Sequence, residues 1–285
     1  IARGLNLDVA LTTYVVASAL VISGIATFIQ IRRFGPMGSG VLSVQGTSFA
    51  FVGVFIYAGI NLQSAGLDNE AVLGTLIGTA AVGGSMTMVL SFFLRYVSAI
   101  VTLNVAGITV FLLGLSLVWV AWGNLDFAVA AAKTQGSNEL WVYLQAVIVI
   151  GVITFFSTRS NPWLKLSSIM LGLFAGMVFA GLTNSFDQPF PTELAPVFLI
   201  EFLPFALHFD GMIFLLLAPI FLVSTIESIG DLTATSLLSG RSVSGPDYWL
   251  RLRGGVMADG FNTLLAGLFG TFPNTTFSQN NGVIR

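Results

Sequence analysis

Three carboxylates lie where an otherwise apolar chain gives them little company. Glu227 and Asp231 belong to "STIESIGDLTAT" and Asp259 to "VMADGFNT", each within a stretch greasy enough to span a membrane. A carboxylate at the centre of such a helix costs about 2.5–3.5 kcal/mol on insertion scales, so each needs a reason to be there. Glu227 and Asp231 are four residues apart and share one helix face, together with Ser224, Ser228 and Thr235. A polar stripe of this kind is expected to face a cavity. If its helix begins near Met212, Glu227 lies about 22 Å along it at 1.5 Å per residue. Asp231 is nearer the far end and Asp259 opens the next span, so contact with water is an alternative reason for either of these two.

Residues 271–285, "TFPNTTFSQNNGVIR", raise a second chemical question. Pro273 discourages continuation of the preceding helix, because it lacks an N–H and restricts the residue before it. The polar residues that follow would be prohibitively costly against lipid and fit only a protected polar cavity. Gln279 and Asn280 each offer two N–H donors and an acceptor oxygen. A buried carboxyl group can carry a proton through a cycle or accept N–H bonds from a neutral ligand. A carboxylate facing a Gln amide suits a flat ligand with alternating N–H and C=O groups, such as the edge of an oxopurine or oxopyrimidine. The set is a poor cage for a bare metal ion and lacks the cations a phosphate would want; no cofactor is expected.

Composition sets the elements that must hold these groups. The chain is 55% hydrophobic and 8% charged, with a mean hydropathy of +0.90. A soluble domain carries roughly 25% charged residues, so this is a polytopic membrane protein. The absence of cysteine rules out disulfides and thiolate chemistry, and a single His rules out an H-E-x-x-H zinc site. The formal charge of −2 and the lack of a basic run give no footing for nucleic acid. The start "IARGLNLDVA" has neither an initiator Met nor a signal-peptide layout, so the chain reads as a piece of a longer protein.

Spans of about 20 apolar residues are expected near 9–31, 41–60, 71–94, 98–121, 140–157, 163–182, 212–236 and 254–271, the second only partly helical. Arg32, Arg33, Arg95, Arg159, Lys165, Arg241, Arg251 and Arg253 fall in alternate connections, and the others hold only Lys133. The positive-inside rule puts the Arg-bearing connections in the cytoplasm. "SVQGTSFAF" and "NTTFSQNNGVI" are both short polar interruptions. Paired interruptions point to a transporter's central site, although small residues can also serve close helix packing. Two other readings compete. An anion transporter would favour a cationic residue, which Glu227 opposes. An intramembrane aspartyl protease is faintly echoed in "SIGD", which lacks the first Gly of a G-x-G-D motif. His208 in "FALHFDG" reads as a connection residue rather than a ligand.

"ESIGDLTAT" (227–235), "GPMGSGVLSVQGTSF" (35–49), "QGTSFAF" (45–51), "VSGPDYWLRLRGGVMADG" (243–260) and "FPNTTFSQNNGVI" (272–284) resemble the nucleobase–ascorbate transporter family along essentially the whole chain. The resemblance implies an all-α polytopic membrane protein with two short membrane-embedded strands, here a fragment of a fourteen-segment fold of two inverted seven-segment repeats. It implies a core domain over 1–97 (segments two to four) and 186–285 (segments eight, nine and the start of ten). A gate domain, segments five to seven, would cover 98–185. It also implies a homodimer in a bacterial inner membrane.

The two interruptions would be strands that pair beside the Glu-bearing helix. By resemblance Glu227 is the substrate-binding carboxylate and Asp231 its supporting partner. Gln279 is the purine-reading amide, Asn280 its neighbour, and Asp259 an acid tied to transport. Phe49 and Ala50 match the position where the third segment touches the base. The function implied is a proton-coupled symporter importing xanthine or uric acid. Gln279 is typical of that branch, whereas uracil permeases usually carry Glu there. Ala50, where xanthine-selective members often have Asn, leaves room for the C8 oxygen of uric acid. Uracil or another base remains the alternative.

Overall fold

The computed structural model describes residues 1–97, 103–134, 136, 138–161, 164–165, 167–183 and 200–277. Among these the helices are α1 (Val9–Ile31), α2 (Val52–Ser64), α3 (Asn69–Leu90), a short α4 (Leu94–Val97), α5 (Leu103–Thr134), α6 (Glu139–Ser157), α7 (Ser168–Leu182), α8 (Gly211–Leu238) and α9 (Pro246–Leu268). Two three-residue strands, β1 (Gln45–Thr47) and β2 (Asn274–Thr276), form one sheet. Four helices among the described residues are long and apolar enough to cross a membrane: α1, α3 continued to Phe93, α6 and α8.

Helix starts follow local chemistry. The first backbone N–H groups of a helix lack intrahelical acceptors, and a short polar side chain at the N-cap satisfies them. Asp8 accepts from Leu11 N–H at 2.7 Å, Asp68 from Ala71 N–H at 3.1 Å and Asn138 from Leu140 N–H at 3.0 Å. Asp210 accepts from both Met212 and Ile213 N–H, at 2.8 and 2.9 Å. α9 starts instead on Pro246 at its first position, where the missing N–H costs nothing and φ is already helical.

Several expected boundaries shift. The span expected at 41–60 becomes β1, a 3₁₀ turn over Phe49–Phe51, and a helix only from Val52 to Ser64. α5 runs on to Thr134, because the Ala-rich "DFAVAAAKT" is a good helix former despite Asp126. α9 begins eight residues before the expected 254. Arg251 and Arg253 therefore sit in a helix rather than a connection, with the Arg253 guanidinium 4.2 Å over the Phe92 ring. His208 lies exposed in the connection before α8, as expected.

The packing divides into two compact units, described separately. One holds α1 to α4, the first turns of α5, α8, α9 and both strands; the other holds the rest of α5 with α6 and α7. In the second, α6 and α7 meet through small residues. A Cβ on Gly176 would lie 2.7 Å from Val149, and Gln145 donates to the Gly176 carbonyl at 3.2 Å. Val147, Ile150 and Phe155 of α6 are exposed, as fits a lipid-facing surface.

In the first unit α3 is the central helix. It is buried on almost every side, as expected for a helix apolar all round. Its glycines let neighbours approach closely. A Cβ on Gly84 would lie 2.7 Å from the Gly260 carbonyl of α9, and one on Gly260 would lie 2.6 Å from the Gly84 carbonyl. A main apolar cluster joins Phe51, Phe55, Leu73, Leu76, Ile77, Leu217, Phe221 and Phe272. A smaller one under the Arg-bearing end joins Val41, Leu94, Leu232, Leu252 and Val256. The "GPMGSG" turn is clamped onto α9, with Gly38 N–H donating to the Gly254 carbonyl at 2.8 Å. Gly38 (φ +95) and Gly40 (φ +72) supply the left-handed geometry this needs.

Candidate functional site

The two interruptions meet. β1 and β2 pair antiparallel, with Gln45 opposite Thr276, Gly46 opposite Thr275 and Thr47 opposite Asn274. The ladder extends one step at each end, through Phe277 N–H to the Val44 carbonyl (2.9 Å) and Ser48 N–H to the Pro273 carbonyl (3.0 Å). Non-helical backbone at membrane depth is costly unless its polar groups find partners, and side chains of α1 and α9 supply three. Thr27 Oγ1 accepts from Gln45 N–H at 2.9 Å. Thr263 Oγ1 donates to the Asn274 carbonyl at 3.1 Å. Asn274 Nδ2 donates to Ser23 Oγ at 3.0 Å.

Asp259 is the hub beside this pair. It sits in the middle of α9 and is 2% exposed, so water at the start of a span does not explain it. Thr276 Oγ1 lies 3.1 Å from each of its carboxylate oxygens, sharing one proton between them. Gln45 Nε2 donates to that same Thr276 oxygen at 3.0 Å, and Gln30 Nε2 lies 3.5 Å from Asp259 Oδ1. Ser228 of α8 is within hydrogen-bonding reach of the carboxylate, and Glu227 is close enough for its charge to bear on it. One side chain thus ties β2 directly, β1 through Gln45 and Thr276, and α8 through Ser228.

On α8 the shared face is real, but it mostly meets protein. Ser224, Ser228, Asp231 and Thr235 are buried, while Glu227 is half-buried. Asp231 is 3% exposed, which removes solvation as its explanation. Glu227 lies about 24 Å from the helix start at Gly211 at 1.5 Å per residue, close to the depth expected.

A cavity of about 660 Å³ lies along β1, lined by Gln45 to Phe49, Phe277, Ser23 and apolar residues of α1. Phe49, half-exposed, stacks on Phe277 with centroids 6.3 Å apart and planes 21° apart. Phe277 can lie across the strand because Gly46 has no side chain; a Cβ there would fall 2.5 Å from its ring. Ala50 does not line this cavity; it packs, partly buried, against the main apolar cluster. Gln279 and Asn280 lie outside the described residues. Gln30, Asn262, Thr263 and Thr276 were not singled out from the sequence. The available signal was the same as for the acids, a polar residue inside an apolar span. Asn262 is fully buried and donates to Gln45 Oε1 and the Ala26 carbonyl, both at 3.4 Å.

The sequence is similar to known proteins along its whole length. Residues 1–285 match the model of a family described as "Permease family". The chain is 36% identical over 288 residues to xanthine permease XanP of Escherichia coli K12, covering all of this chain and 62% of that protein. It is 35% identical over 287 residues to xanthine permease XanQ of the same strain, covering all of this chain and 61% of that one. Against a uric acid-xanthine permease of Emericella nidulans the identity is 30% over 313 residues, covering all of this chain and 54% of that protein. The chain thus spans about three fifths or less of the length of these relatives. With the match running from the first residue to the last, the chain belongs to this permease family, the nucleobase–ascorbate transporters.

Proposed function

We propose that the full-length protein is a proton-coupled symporter that imports a purine base, xanthine or uric acid, across a bacterial inner membrane by alternating access. The observation that carries this reading is the buried β1–β2 pair, linked through Asp259 to the Glu-bearing face of α8. Two interrupted segments meeting beside intramembrane acids are the arrangement of a transporter's central site. The names of the relatives, xanthine permeases and a uric acid-xanthine permease, support a purine as the cargo.

In this reading Glu227 accepts N–H bonds from the base, and Gln279 reads its N–H/C=O edge with one donor and one acceptor. Asn280 supports Gln279. Phe49 offers a ring face and Ala50 leaves space near C8. Asp231 and Asp259 couple and support, Asp259 by holding the strands and α8 in register. Inward proton movement supplies about 2.3 kcal/mol per 100 mV of membrane potential, enough to concentrate a neutral base. Residues 1–97 and 186–285 form the core, 98–185 the gate, and the protein works as a homodimer.

The test is uptake of labelled xanthine by cells that lack their own nucleobase permeases and express the full-length protein. Unlabelled xanthine and uric acid are expected to compete best, ahead of uracil and adenine. Uptake is expected to collapse with a protonophore and to ignore replacement of sodium by potassium. Uracil as the best competitor overturns the purine assignment. Sodium-dependent uptake that survives the protonophore overturns the proton.

A further inference from the structure

The chain has no run of basic residues, yet the fold assembles a basic pocket from distant ones. Arg33 follows α1, Arg241 follows α8 and Arg251 lies in the second turn of α9. All three line one cavity of about 350 Å³, together with Ser39, Gly40 and Asp247. The pocket lies at the Arg-bearing end of the first unit, away from the strands and the cavity beside them.

Each arginine is placed by the backbone around it. The Arg33 side chain lies over Gly40, so that a Cβ there would fall 3.3 Å from its Nε. Arg241 is fixed where α8 ends, its N–H donating to the Ser236 carbonyl at 2.8 Å. Arg251 is 8% exposed and donates through Nη1 to the Ser242 carbonyl at 3.0 Å. Among the described residues, no carboxylate lies within 4.0 Å of any of the three guanidinium groups. Asp247 shares the pocket without pairing, so the lining carries three positive charges against one negative.

Three guanidinium groups around one cavity, one of them almost fully buried, favour an anion between them. Guanidinium groups hold phosphate oxygens through paired N–H donors in a fixed fork. Basic pockets at the cytoplasmic ends of membrane helices suit lipid phosphates in particular.

We propose that this pocket is a binding site for a phosphate group. The phosphate is carried either by an anionic lipid headgroup or by a small soluble phosphate compound. Bound there, it bridges the connection that leads from α1 into β1 and the turn between α8 and α9. It thereby braces, from the cytoplasmic end, the elements that carry Glu227, Asp259 and the first strand. The pocket is separate from the transport site, and the proposal does not depend on the identity of the transported base.

The test uses the purified full-length protein and its thermal unfolding midpoint. In one arm the protein is in neutral detergent with inorganic phosphate or chloride at matched ionic strength. In the other it is in nanodiscs of phosphatidylglycerol or phosphatidylcholine. The Arg33→Gln/Arg241→Gln double variant removes two exposed arginines and leaves the buried Arg251 bond intact. Asp247→Asn removes the opposing charge. Wild type is expected to be stabilised by phosphate, by phosphatidylglycerol, or by both, and the arm that responds identifies the source. The double variant is expected to need roughly tenfold or more of the same agent for an equal shift, the scale of losing a charge-assisted hydrogen bond. Asp247→Asn is expected to need less. No stabilisation of wild type in either arm overturns the proposal, as does an equal shift in wild type and the double variant.

Discussion

The Thr276 hydroxyl bridges Gln45 of β1 and Asp259 of α9. It accepts from Gln45 Nε2 at 3.0 Å and donates to Asp259 at 3.1 Å, in surroundings where Thr276 is 3% and Asp259 2% exposed. Thr276→Val keeps the shape and the β-branching and removes only the oxygen. The loss has two parts. A buried hydrogen bond contributes about 0.5–1.5 kcal/mol, and a buried donor left without its acceptor costs about 1–3 kcal/mol. Gln45 is also within reach of Asp259 itself, so part of the second loss is recovered by re-pairing. A net destabilisation of about 2–3 kcal/mol follows. Thr276→Ser keeps the oxygen and loses a methyl group, about 1 kcal/mol. The assay is the unfolding midpoint of the full-length protein in detergent, with xanthine uptake measured on the same variants. The expected order is wild type, then Ser, then Val, in both measurements. If Val matches wild type while Ser is impaired, methyl packing rather than the hydroxyl bridge holds the strands, and the reasoning is refuted.

Gly260→Ala puts a Cβ 2.6 Å from the Gly84 carbonyl and 2.7 Å from Met88 N–H. Both are backbone atoms of α3 and cannot rotate away, so a loss of about 1–3 kcal/mol is expected; an unchanged unfolding midpoint would contradict the close α3–α9 contact. Glu227→Gln in the full-length protein is expected to abolish accumulation, and Glu227→Asp to weaken it by shortening the reach. Normal accumulation by Glu227→Gln removes Glu227 from the site. Gln279→Glu is expected to cost purine affinity by roughly 1–3 kcal/mol, because an ionised carboxylate cannot donate to the base; competition by xanthine, uric acid and uracil measures it. Ala50→Asn is expected to disfavour uric acid more than xanthine, and an unchanged ratio of the two means that Ala50 touches no part of the base.

Some of this protein was decided by amino-acid type and short spacing alone. The membrane setting follows from composition, since so few charges cannot clothe a soluble surface. The common face of Glu227 and Asp231 follows from the helical repeat, and the caps at Asp8, Asp68, Asn138 and Asp210 from unpaired N–H groups at helix starts. The polar interruptions at 43–51 and 274–284 were visible because lipid forbids unpaired backbone. Their pairing came from family resemblance, since three-residue strands carry no periodicity to read. Charge misled at α9, where Arg251 and Arg253 resembled a connection. Pro246 starts the helix earlier, the Ser242 carbonyl receives Arg251, and the Phe92 ring receives Arg253.

Only the tertiary structure decided what each buried polar group touches. Asp259 meets Thr276, 17 residues away, and Gln30, 229 away; Gln45 meets Thr276 across 231. No local rule selects such partners. They are chosen by which helices can approach closely, and the glycines of α3 and α9 set that approach. The basic pocket has the same origin. Arg33, Arg241 and Arg251 are unremarked singly, and become a site because the Gly38–Gly254 clamp draws the first connection onto α9. Sequence alone says that a polar group inside lipid must have a partner, because the cost of leaving it bare is several kcal/mol. Which partner it has depends on the packing of surfaces far apart along the chain.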